Sequence, residues 1–204
     1  MKHLLLFSIV FALLGCESIN IKKAATDSVN YADLRNTYQP CFIIDKKLSN
    51  YSTVITTPKF MDNSYGFMVE NHFKDKKDNT IILEVGEIIE DDIHAFSNEM
   101  FGNQCFISSL SEFTGQGNLI IKVDLVTSNI SEPKNYDDKI VSQVGVLYSV
   151  YDAQGHELFK KEVIEQDDQE AFSAAAYRQV TNKTVDRMIT SSKALILQSL
   201  RNIK

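Results

Sequence analysis

The sequence predicts an α+β fold: a mainly antiparallel sheet with two helices packed on one face, one of them a long C-terminal helix. Three patterns carry that prediction. Leu119, Ile121, Val123 and Leu125 recur with the period of two that a half-buried strand requires, and 139–151, with Ile140, Val144, Val146, Tyr148 and Val150, reads as a second, long strand. Val85, Ile89, Ile93, Phe96 and Met100 recur at spacings of three and four and so share one helix face. A second helical run carries Ala174, Tyr177, Thr181, Val185, Met188, Ile189, Ser192, Leu195 and Ile196 and reaches about Arg201. Strands in succession, rather than strictly alternating with helices, favour helices on one face of an antiparallel sheet.

The chain opens with Met1, Lys2 and His3, then about a dozen apolar residues, which is the layout of a secretory signal. Glu17, Asn20, Lys22 and Lys23 follow almost at once, so the run falls short of the roughly 20 apolar residues of a bilayer-spanning helix. At its end, Leu13-Leu14-Gly15-Cys16 resembles the lipobox of bacterial lipoproteins. The resemblance implies that the Cys16 thiol receives diacylglycerol and becomes the first residue of the mature chain; the competing reading is an ordinary signal with an incidental cysteine. Each buried methylene contributes ~0.8 kcal/mol, so a multiply acylated Cys16 would hold the protein at a membrane without a span. By the sorting pattern of that class, Glu17 points to the outer membrane, with the domain facing the periplasm.

Residues 1–15 are thus read as a lipoprotein signal peptide, 16–40 as a lipidated N-terminus and flexible polar tether with a short helix around 27–37, and 41–204 as a single periplasmic domain. Removing the signal leaves about 190 residues, one domain of ordinary size, and an apolar fraction of 44% suffices for a core. Net charge is −6 with a pI near 5.2, and lysines fall in scattered pairs such as Lys46-Lys47 and Lys160-Lys161, which argues against a nucleic-acid partner.

Within the domain, residues 41–45 and 51–57 read as strands, the second ended by Pro58. Residues 63–79 are ambiguous, and 79–84 read as a strand or an extended lead into the first long helix. That helix carries Glu87, Glu90, Asp91 and Asp92 toward its start, where the dipole favours negative charge, and Gly102 where a C-terminal cap is expected. After the strand at 119–126, Asp152-Ala153-Gln154-Gly155 signals a turn between the 139–151 strand and a partner at 158–164. Asp167 and Glu170 have capping-box spacing ahead of the last helix. That helix has two readings, a core element or a partly exposed docking surface, because Thr181, Thr184, Ser191 and Ser192 punctuate its stripe.

Cys41 and Cys105 are the remaining cysteines, each preceding an apolar pair. In an oxidising compartment they form either a disulfide or two separately buried thiols. Catalytic signals are weak. Glu90 and His94 share a helix face at metal-ligand spacing but lack a third ligand, and an acidic helix start is the simpler explanation. His72, His94 and His156 have no nucleophile-elbow serine or cysteine nearby, Gly115-Gln116-Gly117 reads as a turn, and Asp137-Asp138 and Asp167-Asp168 read as solvated acids. The expectation is a non-enzymatic protein with no cofactor and no metal site.

The strand leading to Val85-Gly86-Glu87-Ile88-Ile89, its helix ending near Phe101, the 119–126 strand, the Tyr148-Ser149-Val150-Tyr151-Asp152-Ala153-Gln154-Gly155 hairpin and the final helix together resemble a group of small Gram-negative periplasmic lipoproteins. These are the YajG-like, ABC-transport auxiliary and penicillin-binding-protein-activator types. The resemblance implies a non-catalytic binding, accessory or assembly factor for an envelope complex, with an envelope protein as partner. The alternative function is a periplasmic carrier or sensor of a lipid or other small ligand, which would need an apolar cavity.

Overall fold

The computed structural model describes residues 31–56, 80–102, 105–131, 133, 138–170 and 174–203. The signal segment, Cys16, Glu17, the stretch at 63–79 with its His72, and Asp137 lie outside the described residues.

The elements run α1 (Ala32–Thr37), β1 (Pro40–Ile44), α2 (Lys46–Ser49), β2 (Thr53–Thr56), β3 (Thr80–Leu83), α3 (Val85–Phe101), β4 (Cys105–Phe106), a 3₁₀ turn (Leu110–Glu112), β5 (Leu119–Ser131), β6 (Lys139–Asp152), β7 (Glu157–Glu170) and α4 (Ala174–Arg201). The main sheet has the order β4-β1-β5-β6-β7, and β2 pairs with β3 in a separate antiparallel ribbon. The long ladders β5–β6 and β6–β7 are antiparallel, while β1 lies parallel to both β4 and β5. The architecture is therefore α+β with a mixed main sheet. The parallel pairs are short, so the sheet is antiparallel over most of its length.

Alternation explains β6 directly. Ile140, Val144, Val146, Tyr148 and Val150 are all fully buried, whereas Gln143, Leu147 and Tyr151 on the other face are part exposed. Their partners Ile121 and Val123 on β5 continue the same buried face. The expected end of β5 near residue 126 is corrected to Ser131. A bulge between Leu125 and Thr127 shifts the register, leaving Val126 44% exposed and bringing Ile130 opposite Ser142. One extra residue on one strand breaks the period of two without ending the ladder, so the pattern stops where the strand does not.

The α3 stripe falls as its spacing predicts, with Val85, Ile89, Ile93, Phe96 and Met100 buried, and Gly102 closes the helix at φ +74°. Gly86 is needed for packing: a Cβ there would lie 2.0 Å from the Leu48 carbonyl oxygen. On α4, Tyr177, Thr181, Thr184, Val185, Met188, Ser192 and Ile196 are buried, which makes it a core helix along this stripe. The hydroxyls of Thr181, Thr184 and Ser192 donate to the carbonyls of Tyr177, Val180 and Met188 at 2.7–2.8 Å, so small polar groups enter the core already paired. Both long helices contribute to one continuous core with the same sheet face.

Two further readings change. The capping-box assignment of Asp167 and Glu170 is overturned: both lie in β7, which stays paired with β6 until Glu170 faces Lys139. The second change concerns the stretch read as tether. Its last residues, from Tyr31 onward, pack on the domain: Leu34 is in the core, the Tyr38 hydroxyl donates to the Leu200 carbonyl at 3.1 Å, and the Asn118 amide spans Thr37 and Gln39.

Candidate interaction surface

The β2–β3 ribbon is apolar on both faces. Ile55 and Leu83 point into the core, 1% and 3% exposed, whereas the cross-strand pair Val54 and Ile82 faces outward at 62% and 57%. Burying one face of a two-stranded ribbon is what holds it to the domain. A second apolar face has no such role, and a paired exposed Val and Ile is the kind of surface that recognition uses.

Beside Ile82 lies a groove of about 250 Å³. One wall is Leu83, Glu84, Glu87 and Ile88, from the end of β3 and the first turn of α3; the other is Arg178, Thr181 and Asn182 of α4. Hydrogen bonding to and repulsion by the neighbouring Glu84 hold the Glu87 carboxyl above its ordinary pKa. Two acids therefore sit with Leu83 and Ile88 on one wall, and a guanidinium on the other. Such a site can seat an apolar side chain and orient charged neighbours.

The other candidates resolve into structural roles. Cys41 and Cys105 are register partners on parallel strands, with Cα atoms 4.5 Å apart, and form a disulfide. His94 and Glu90 approach only to 3.9 Å on an exposed helix face, and the imidazole lies against Phe106 with ring centroids 3.8 Å apart. Among the described residues no group of three or more His, Cys, Asp or Glu side chains could hold a metal. His156 belongs to the β6–β7 turn, where the Asp152 carboxylate accepts from the Gln154 and His156 amides at 2.9 Å and meets His156 Nδ1 at 2.9 Å. Gly115 and Gly117 lie in bends ahead of β5.

Asp167 has the most defined setting of the acids. Lys183 Nζ donates to it at 2.8 Å and Arg187 Nη1 at 3.1 Å, while Ser191 Oγ donates to Glu165 and Gln169 Nε2 to Gln179. Two residues along a strand rise ~6.7 Å and four along a helix ~6 Å, so every second β7 side chain meets every fourth α4 side chain. Burial alone would raise the Asp167 pKa; the hydrogen bonds from Lys183, Arg187 and the Asp168 amide outweigh it and hold the carboxyl below its ordinary value. The arrangement is a clamp between strand and helix.

Sequence reasoning missed Val54, Ile82, Arg178 and Asn182. The β2 and β3 runs were recognisable as strands, but their apolar residues leave no contrast between faces.

The fold defines this chain as an α+β domain of a type already known among bacterial proteins. No family model matches it, and no curated protein matches it. Among solved structures, a Xanthomonas campestris protein of the family DUF330 superposes with a TM-score of 0.53 at 8% identity, over 81% of this chain and 87% of that one. That likeness establishes the shared fold. A minor lipoprotein from Acinetobacter baumannii (TM-score 0.44, 8% identity, 80% of this chain and 92% of that one) and a Caulobacter crescentus protein described as a lipoprotein (0.43, 11%, 59% and 85%) are more distant and carry no argument.

Proposed function

We propose that this chain is an envelope lipoprotein, anchored through Cys16, that acts as a non-catalytic binding or assembly factor. The outward Val54–Ile82 pair beside the groove is the observation that carries the binding role. The occupant is a segment of another envelope protein that presents an apolar side chain flanked by a basic group toward Glu84 and Glu87 and an acidic group toward Arg178. The lipobox-like Leu13-Leu14-Gly15-Cys16 supports the anchor and the Cys41–Cys105 disulfide fits an oxidising compartment. A carrier of small ligands has less support, because a groove of about 250 Å³ is open to solvent and below the roughly 300–1,000 Å³ usual for such sites.

The test is photocrosslinking in living cells with a photoreactive amino acid at Val54, at Ile82, and at exposed Asn98 on α3 as control. Discrete adducts at 54 and 82, absent at 98 and lost on Ile82→Asp, are expected. No adduct at 54 or 82 in a normally folded, membrane-located chain would overturn the binding role. Intact mass of the membrane-extracted chain checks the anchor: an acylated species beginning at Cys16 is expected, and it should vanish in Cys16→Ala.

A further inference from the structure

β7 closes the main sheet on one side. It is 14 residues long, and among the described residues β6 is its only ladder partner. Exposed edges of that length are usually blunted by charge, and β7 carries Glu157, Lys160, Lys161, Glu162, Glu165, Asp167, Asp168 and Glu170. Its charges are ordered, however: the lysines lie in the first half and the aspartates in the second.

That order discriminates among the self-pairings centred on the middle of the strand, residues 162–166. Two copies of one edge strand joined antiparallel share a two-fold axis normal to the sheet. Facing residues must then lie on the same sheet face, so the axis passes through a residue. Centred on Glu162, Glu165 or Gln166, the pairing sets acid against acid, namely Glu162 on itself, Glu165 on itself with Glu162 on Asp168, or Glu162 on Glu170. Centred on Val163, it gains a single kind of charge pair, Lys161 on Glu165, and sets Asp167 and Asp168 against Phe159 and Leu158. Centred on Ile164, it sets Lys160 against Asp168 and Lys161 against Asp167, Glu162 against Gln166, Val163 against Glu165, Leu158 against Glu170 and Ile164 against itself, so that it gains two kinds of charge pair with no like charges opposed.

We infer that β7 is a self-complementary edge through which two copies of this chain join antiparallel about Ile164, fusing their main sheets into one. Ile164 fits that position: it is 46% exposed and lies over Gly145, where a Cβ would come within 2.8 Å of its Cγ1. Asp168 is also accessible, about half exposed, and meets Lys139 at 2.9 Å, leaving acceptor capacity for a second lysine. The pairing is isologous and closes at two copies, because it consumes the exposed edge of each.

The test uses the full chain in membranes. Ile164→Cys should oxidise readily to a covalent dimer, because the two Cα atoms face each other across the axis. Gln166→Cys should not, since its symmetry mate lies about four residues, ~13 Å, along the strand. In detergent-extracted protein, Lys160→Asp or Asp168→Lys alone should weaken the dimer at least about tenfold, and the double exchange should restore it. A chain that sediments as a monomer, equal crosslinking at 164 and 166, or failure of the double exchange to restore a dimer lost in both single variants would overturn the inference.

Discussion

The two edges of the main sheet are held in opposite ways. β4 contributes two residues and two register pairs, too few for a ladder to hold it, and it is secured by the Cys41–Cys105 bridge and by Phe106, which stacks on Phe42 at 5.5 Å and covers His94. β7 is paired along its whole length, so its helix-facing side chains are free to be polar. Glu165, Asp167 and Gln169 meet α4 where an apolar strand would simply be buried. A short edge needs covalent and aromatic support; a long one is held by its backbone and uses side chains for register against the helix.

The largest break in this contrast should come from Phe42→Ala. Phe42 is fully buried and touches the rings of Phe96, Phe101 and Phe106, so its loss should cost about 3–5 kcal/mol in urea or thermal unfolding and should release the β4 side first. Cys105→Ser follows. The bridge spans a sequence separation of 64, and its removal should cost about 2–4 kcal/mol, with faster hydrogen exchange in β1 and β4 and little change in β7.

On the opposite edge, Asp167→Asn should cost about 1–2 kcal/mol. The carboxylate is only 9% exposed, but Lys183 and Arg187 are more than half exposed and screened by water. Because the folded-state pKa of Asp167 is depressed, its contribution is fully present above the unfolded value near 4 and is lost as pH falls through the folded one. The stability of Asp167→Asn should therefore fall less steeply than that of the parent chain below about pH 5, which unfolding midpoints across pH 3–7 would reveal. Smallest of all is Lys139→Gln. Its partner Asp168 is next in sequence to Asp167 yet about half exposed, so the pair is solvated and the unfolding midpoint should not move measurably.

These two adjacent aspartates show how far sequence reading carries. Asp167-Asp168 looks like a solvated pair and Asp167 with Glu170 looks like a helix cap, but neither description fits Asp167 once α4 lies across β7. The two basic groups that define it are 16 and 20 residues downstream. Of the interaction surface, the strands were legible and the outward-facing pair was not. Val54 and Ile82 differ from Ile55 and Leu83 only in which face of the ribbon met the core.

By itself the sequence determined the α+β class, the stripe of α3, the buried face of β6, the β6–β7 hairpin and the buried stripe and C-terminal end of α4, because each depends on spacings of two to four residues that local backbone geometry imposes. Tertiary structure decided the parallel placement of β1 between β4 and β5, the bulge that carries β5 past Val126 and the clamp at Asp167. It also decided which apolar pair stayed exposed. Those outcomes rest on contacts between residues far apart in the chain, where many pairings satisfy the same local pattern and only simultaneous burial of one shared core selects among them.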